Sequence, residues 1–184
     1  MSYRKILVPL VGSDRDKQVL AAAFTVAKTF GAHVAALFVR PEPSEALPYM
    51  GEGISGNVIQ EVLDAATKAA DAALADAKAA LKTAADAAQI PIVDKPGMRE
   101  EATAALRVVQ GHFADVVEND ARLSDLVIFG ALAAEERVGL KEAFEATLLT
   151  EGRPALLVPK KRTPPETSEA LAKAGIVLRY AEPF

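Results

Sequence analysis

The chain has 184 residues and 19.4 kDa, enough for one domain and a short appendage. A quarter of the residues are charged and 51% are apolar, which excludes wholesale disorder; a net charge of −4 argues against a general nucleic-acid binder. No cysteine is present, so disulfide scaffolds, cysteine-zinc sites and thiol nucleophiles are excluded. The N-terminus lacks a long apolar h-region and no stretch holds eighteen uninterrupted apolar residues, so the expectation is a cytoplasmic protein without membrane association.

Lys5 to Leu10 form a short apolar run, which reads as a parallel strand buried on both faces. Val11-Gly12-Ser13 follow as a turn. Ser13 is a candidate N-cap, and Asp14 and Asp16 suit the positive end of a helix dipole. Leu20, Phe24, Ala27 and Phe30 recur at helical spacing, and Gly31 is a stop. His33 to Val39 is a second strand. Strand, helix, strand within forty residues make a βαβ unit, whose right-handed crossover sets the strands parallel.

Residues 41–56 carry three prolines and three glycines and read as a long loop. Residues 57–89 hold fourteen alanines and neither glycine nor proline. Ile59, Leu63, Ala70, Leu74, Ala77, Leu81 and Ala88 form one stripe, so a single helix of about 50 Å is predicted, with one end projecting past the sheet. Asp64 and Lys68 are spaced for an i,i+4 pair. After an irregular stretch over 90–99, strands are predicted at Ala104–Val109, Leu126–Gly130 and 155–159. Helices are predicted at Phe113–Arg122 and 135–150. The order β-α-β-α-β-α-β-α-β describes an α/β fold with a mostly parallel sheet. The domain spans 1–160, and 161–184 is a polar, proline-broken tail with a short helix and a possible strand.

The ILVPL-x-GS opening, GAHVAALFV, SDLVIFG and RPALLVP, in that order, resemble the universal stress protein family across residues 3 to 160. The resemblance implies a three-layer, Rossmann-like, open parallel sheet of five strands in the order 3-2-1-4-5, with helices on both faces. It also implies a homodimer joined through the fifth strand, here Ala155, Leu156, Leu157 and Val158, and a link to stress tolerance. The long loop and Ala-rich helix resemble the first half of tandem members of that family.

Members that bind ATP carry an aspartate at the end of the first strand, where this chain has Val11. Their phosphate loop has the form G-x-x-G, nine residues, then G and Ser or Thr. Gly130 fits its first position, but Ala133 replaces the second glycine, and Ala143-Phe144 stand where the last pair is expected. Glycines serve there because bare amides must approach phosphate oxygens. Glu135 and Glu136 add negative charge, partly offset by Arg137 and Lys141. The candidate nucleotide-binding residues are Pro9, Val11, Gly12, Ser13, Val39 and Gly130, with ATP as the ligand they would hold.

Gly51 to Gly56 match G-x-G-x-x-G, but a proline-rich loop precedes them where a dinucleotide site needs a strand; a hinge capped by Ser55 or Asn57 is the reading. His33 and His112 are the only histidines. There is no G-x-S-x-G elbow and no H-E-x-x-H spacing, so neither a catalytic residue nor a metal is expected. Lys160-Lys161-Arg162 and the carboxylates Glu100, Glu101, Glu118, Asp120 and Asp125 read as solvated surface charge.

These observations point to a non-catalytic, homodimeric stress-response domain without a cofactor, acting through an interaction (with an unknown protein partner among the candidates) or weak ligand binding. The alternative is an adenine-nucleotide-binding protein with slow ATP hydrolysis in a divergent pocket. A third reading, an enzyme acting on a small non-nucleotide substrate, would need convergent titratable groups at the carboxyl ends of the strands.

Overall fold

A computed structural model describes residues 3–42, 56–94, 101–132 and 137–159. Its elements run β1 (Lys5–Leu10), α1 (Asp16–Phe30), β2 (His33–Arg40), α2 (Gly56–Ala88), β3 (Thr103–Gln110), α3 (Phe113–Ala121), β4 (Leu126–Gly130), α4 (Leu140–Leu149) and β5 (Ala155–Val158). The five strands form one parallel sheet in the order β3-β2-β1-β4-β5. This is the Rossmann-like α/β architecture expected.

The central strand β1 is buried on both faces because helices cover both. Ile6, Val8 and Leu10 alternate toward α1 and α2, where Phe24, Phe38, Ala77 and Leu81 complete one core layer. Leu7 points the other way and joins Leu37, Val39, Phe113, Val117, Phe129 and Ala143 under α3 and α4. Burying such a side chain stabilises by about 1.5–3 kcal/mol, so both faces contribute. Alanines on α2 let it lie close to the sheet layer. The α2 residues buried are Ala70, Ala77, Ala80, Leu81 and Ala85, all in its C-terminal part, while Gly56 to Glu61 are exposed. One end of α2 therefore projects, by about 21 Å from Ala70 to Gly56 at 1.5 Å per residue.

Several local expectations are corrected. Ser13 does not cap α1: the helix starts at Asp16, no side-chain cap bond is made, and the Ser13 carbonyl accepts the Asp16 N–H instead. Helix α4 begins at Leu140 and not at 135, because Gly139 takes φ 85° immediately before it. Asn57 lies inside α2 and is no cap, and Asp64 accepts from the Gln60 amide at 2.9 Å in place of Lys68. Asp120 is not surface charge. It is buried and pairs with Arg107 at 2.7 Å, while Asp125 accepts the amides of Arg4 and Lys5 at 2.8 and 2.9 Å. The 43–55 loop with Gly51 and Ser55, Glu100, Ala133, Glu135, Glu136 and everything from Lys160 onward lie outside the described residues. Among the described residues no helix is long and apolar enough to cross a membrane.

Candidate functional site

In an open parallel sheet the ligand crevice lies beyond the carboxyl ends of the strands, where the order reverses. Here β1 pairs with β2 on one side and β4 on the other, so the crevice opens above Leu10 and Gly130. Pro9 is in β1 opposite Leu37, and Val39 is buried near the end of β2. Val11 and Gly12 continue from β1 as a half-buried turn, Ser13 is exposed, and Gly130 ends β4. The structure thus gathers all six candidate residues at one pole of the sheet.

Three of their backbone groups, the Val11 and Gly12 amides and the Val39 carbonyl, already have side-chain partners within the chain. The carboxylate of Asp16, only 2% exposed, accepts the Val11 N–H at 3.1 Å and the Gly12 N–H at 2.8 Å. Burial pushes its pKa above the ordinary 3.8; the amides of Val11, Gly12 and Ser13 and the charge of Arg137 pull the other way. An internal anion therefore sits on the amides that a phosphate would need.

At the end of β2, the Arg137 guanidinium donates to the Val39 carbonyl, the group available to a base. The same guanidinium stacks over Phe113, 4.6 Å from the ring centroid, and lies 5.7 Å from the centroid of Phe38. A stacked, hydrogen-bonded arginine loses much of its freedom and resists displacement. On the α2 side, Gly12 has φ 76°, and a Cβ there would come within 2.5 Å of the Ala73 carbonyl oxygen. Helix α2 is thus pressed onto the turn and walls that side of the crevice.

Sequence reasoning missed Asp16 and Arg137 as site residues. Asp16 carried a signal: it lies four residues before Leu20 on the core-facing stripe of α1, where a charge must find partners. Arg137 was read only as a charge partly offsetting Glu135 and Glu136; its bond to the Val39 carbonyl, 98 residues away in the chain, left no mark in the spacing.

His33 opens β2 at the opposite pole, its Nδ1 2.8 Å from the Thr103 hydroxyl; burial and Lys5 lower its pKa from 6.5. His112 precedes α3 and lies 3.6 Å from Asp115. Among the described residues no three His, Cys, Asp or Glu side chains cluster as metal ligands. Of the four expected interface residues in β5, Ala155, Leu156 and Val158 are buried in the protein's own core. Only Leu157 is exposed, at 41%.

No family model matches the chain, and no curated protein does. Solved structures do. The universal stress protein UspA from Lactobacillus plantarum aligns with a TM-score of 0.51 at 20% identity, over 88% of this chain and 99% of that one. The hypothetical protein MJ0577, the subject of a structure-based assignment of biochemical function, aligns at 0.54 and 16% identity, with the same coverage of 88% and 99%. A universal stress protein family member from Burkholderia pseudomallei is 21% identical over 85% of this chain and 96% of its own, at 0.48. At such identities the likeness is one of fold: this is a UspA-like domain fold.

Proposed function

We propose that this chain is a non-catalytic, self-associating scaffold on the universal stress protein fold, with its ligand crevice closed by its own side chains. One observation carries the reading: the Val11 and Gly12 amides and the Val39 carbonyl are taken by Asp16 and Arg137. A nucleotide would have to displace a buried carboxylate from two amides and an arginine from a carbonyl and an aromatic face. Leaving those groups unpaired costs about 1–3 kcal/mol each, more for the charged ones, which subtracts directly from affinity. Self-association through the β5 edge is supported by the exposed Leu157, and a cysteine-free composition suits a cytoplasmic setting. A stress-response role comes to this chain by likeness of fold, which does not by itself fix function.

The test is to denature freshly purified protein, identify released small molecules by mass spectrometry, and titrate ATP with magnesium by calorimetry. No released nucleotide and no heat at millimolar ATP are expected. Stoichiometric adenine nucleotide would overturn the closed crevice and move the chain to the nucleotide-binding reading. Arg137→Ala then checks the cause, since freeing the Val39 carbonyl should bring measurable adenosine affinity to an otherwise unresponsive protein.

A further inference from the structure

We propose that this chain's own C-terminal residues cover the outer edge of β5 by one further crossover, and compete there with a second copy. This regulation rests on the self-association proposed above, because it acts on the same edge. β5 pairs with β4 on one side and, among the described residues, with no strand on the other. The Val127 N–H donates to the Pro154 carbonyl, so Pro154, Leu156 and Val158 bond inward while Ala155 and Leu157 direct N–H and C=O outward. Such an open row is a template for pairing, and native sheets cover it. Residues 43–55 join β2 to α2, 95–100 precede β3 and 133–136 join β4 to α4. Residues 160–184 leave from β5 itself.

The sequence of that stretch predicts a helix and then a strand. Thr163 and Glu166 have the spacing of a capping box, with Pro164 at the first helical position. Thr167, Ala170, Leu171 and Ala174 recur at helical spacing, and Gly175 is a stop. Ile176 to Tyr180, IVLRY, follow as a β-branched and aromatic run. Between Val158 and Ile176 lie residues 159–175, seventeen in number. A parallel crossover needs about a dozen, whereas a hairpin loop takes only about two to five. A helix over 164–174 would be about 16 Å long at 1.5 Å per residue. The four residues of β5 span about 13 Å, so one such helix returns the chain to the start of the strand.

Handedness decides where that helix lands. The crossovers through α3 and α4 both step in the direction from β3 toward β5, and both lie on one face, with Phe113, Val117, Leu140 and Ala143 in a single layer. One further right-handed step in the same direction puts the new helix on that face too. Leu157 belongs to the same face, because it is in register with Phe129 of that layer. Phe129 is fully buried, yet Leu157 is 41% exposed. The five-strand domain thus leaves an apolar side chain uncovered where the crossover helix comes down. A segment tethered to β5 acts at an effective concentration of about 1 mM, roughly a thousandfold above a second copy present at micromolar concentration. The chain's own strand is therefore the favoured occupant, and a second copy pairs only when that strand is released.

Amide exchange at Leu157, read by NMR on the full chain alongside sedimentation velocity, tests this. The Leu157 N–H faces outward, so the β4–β5 ladder does not protect it and a sixth strand does. At a concentration where the full chain sediments as a monomer, this amide is expected to exchange at least about tenfold more slowly than in Val177→Asp with Leu178→Asp. Those two substitutions put charge on both faces of the strand. The same double variant is expected to dimerise at least about tenfold more tightly, and adding Leu157→Lys should return it to a monomer. A Leu157 amide exchanging at the open-chain rate in the monomeric full chain overturns the cover, and that reading needs no variant. So does a full chain dimeric at low micromolar concentration whose affinity the double variant leaves unchanged, an outcome that retains self-association through β5. A dimer that the double variant dissociates overturns cover within one chain in favour of a strand exchanged between copies. Protection lost in the double variant without any dimer supports the cover and refutes self-association through β5.

Discussion

Gly12 and Gly152 both have positive φ, 76° and 58°, yet the space around them differs completely. A Cβ on Gly152 meets nothing within 4 Å, so Gly152→Ala carries only left-handed backbone strain, about 1–2 kcal/mol. A Cβ on Gly12 would collide with the backbone of Ala73, in the part of α2 that is packed on the core from Ala70 onward and cannot retreat locally. Gly12→Ala is therefore expected to cost more than about 2 kcal/mol, combining strain with displacement of α2. Urea denaturation of both variants at unchanged m-value checks this, and equal losses would refute the close contact. At this scale the sequence was only partly legible. Glycine after a strand signals a tight turn, but what presses on it comes from 61 residues further along. The Asp16 carboxylate and the Arg137 guanidinium were hidden for the same reason: a hydrogen-bond partner is set by tertiary position, not by spacing.

Among the elements, α2 was the most readable and also the most uneven in what it contributes. Its stripe of Ile59, Leu63, Ala70, Ala77 and Leu81 is continuous in sequence, yet only the part from Ala70 onward is buried. Periodicity reports which face is apolar; it does not report where the sheet beneath ends. Substitutions along one stripe should thus diverge. Ala77, fully buried against the layer holding Phe24 and Leu20, has no room for added methylenes, and Ala77→Leu should cost about 1–3 kcal/mol by overpacking. Ile59→Ser, on the projecting end, should stay within about 0.5 kcal/mol of wild type. Thermal melts would separate the two, and a large loss at Ile59 would mean that the projecting end is covered. Strand and helix order were legible because each buried strand is a short apolar run and each helix has a distinct period. The start of α4 was not, because the turn at Gly139 lies within an apolar-rich stretch that reads as helix throughout.

For the whole molecule, the parallel strands were legible in the sequence, while the order β3-β2-β1-β4-β5 was available only through the family resemblance; its consequence is a sheet whose two poles carry different chemistry. The crevice pole holds Asp16; the opposite pole holds His33 against Thr103, and Glu151 beside Arg122 where the chain enters β5. These groups make stability depend on pH with opposite signs. His33 has its pKa lowered from 6.5, so its contribution is present above 6.5 and is lost as pH falls through its folded value below that. Glu151 is held below its ordinary 4.5, first by the Arg122 hydrogen bond, so its contribution is present above 4.5 and is lost on further acidification. Asp16 is raised above 3.8 by burial, so its contribution is complete below 3.8 and is lost as pH rises through its folded value. Lowering the pH should therefore lower the urea midpoint first in the window under 6.5. Between the folded value of Asp16 and 3.8, the gain at the crevice pole should then oppose the loss at Glu151. His33→Gln should flatten the upper window alone, and Glu151→Gln should flatten the fall below 4.5 while leaving the upper one in place. If His33→Gln left the upper slope unchanged, burial and the neighbouring charge of Lys5 would not be disfavouring the protonated His33 in the folded state.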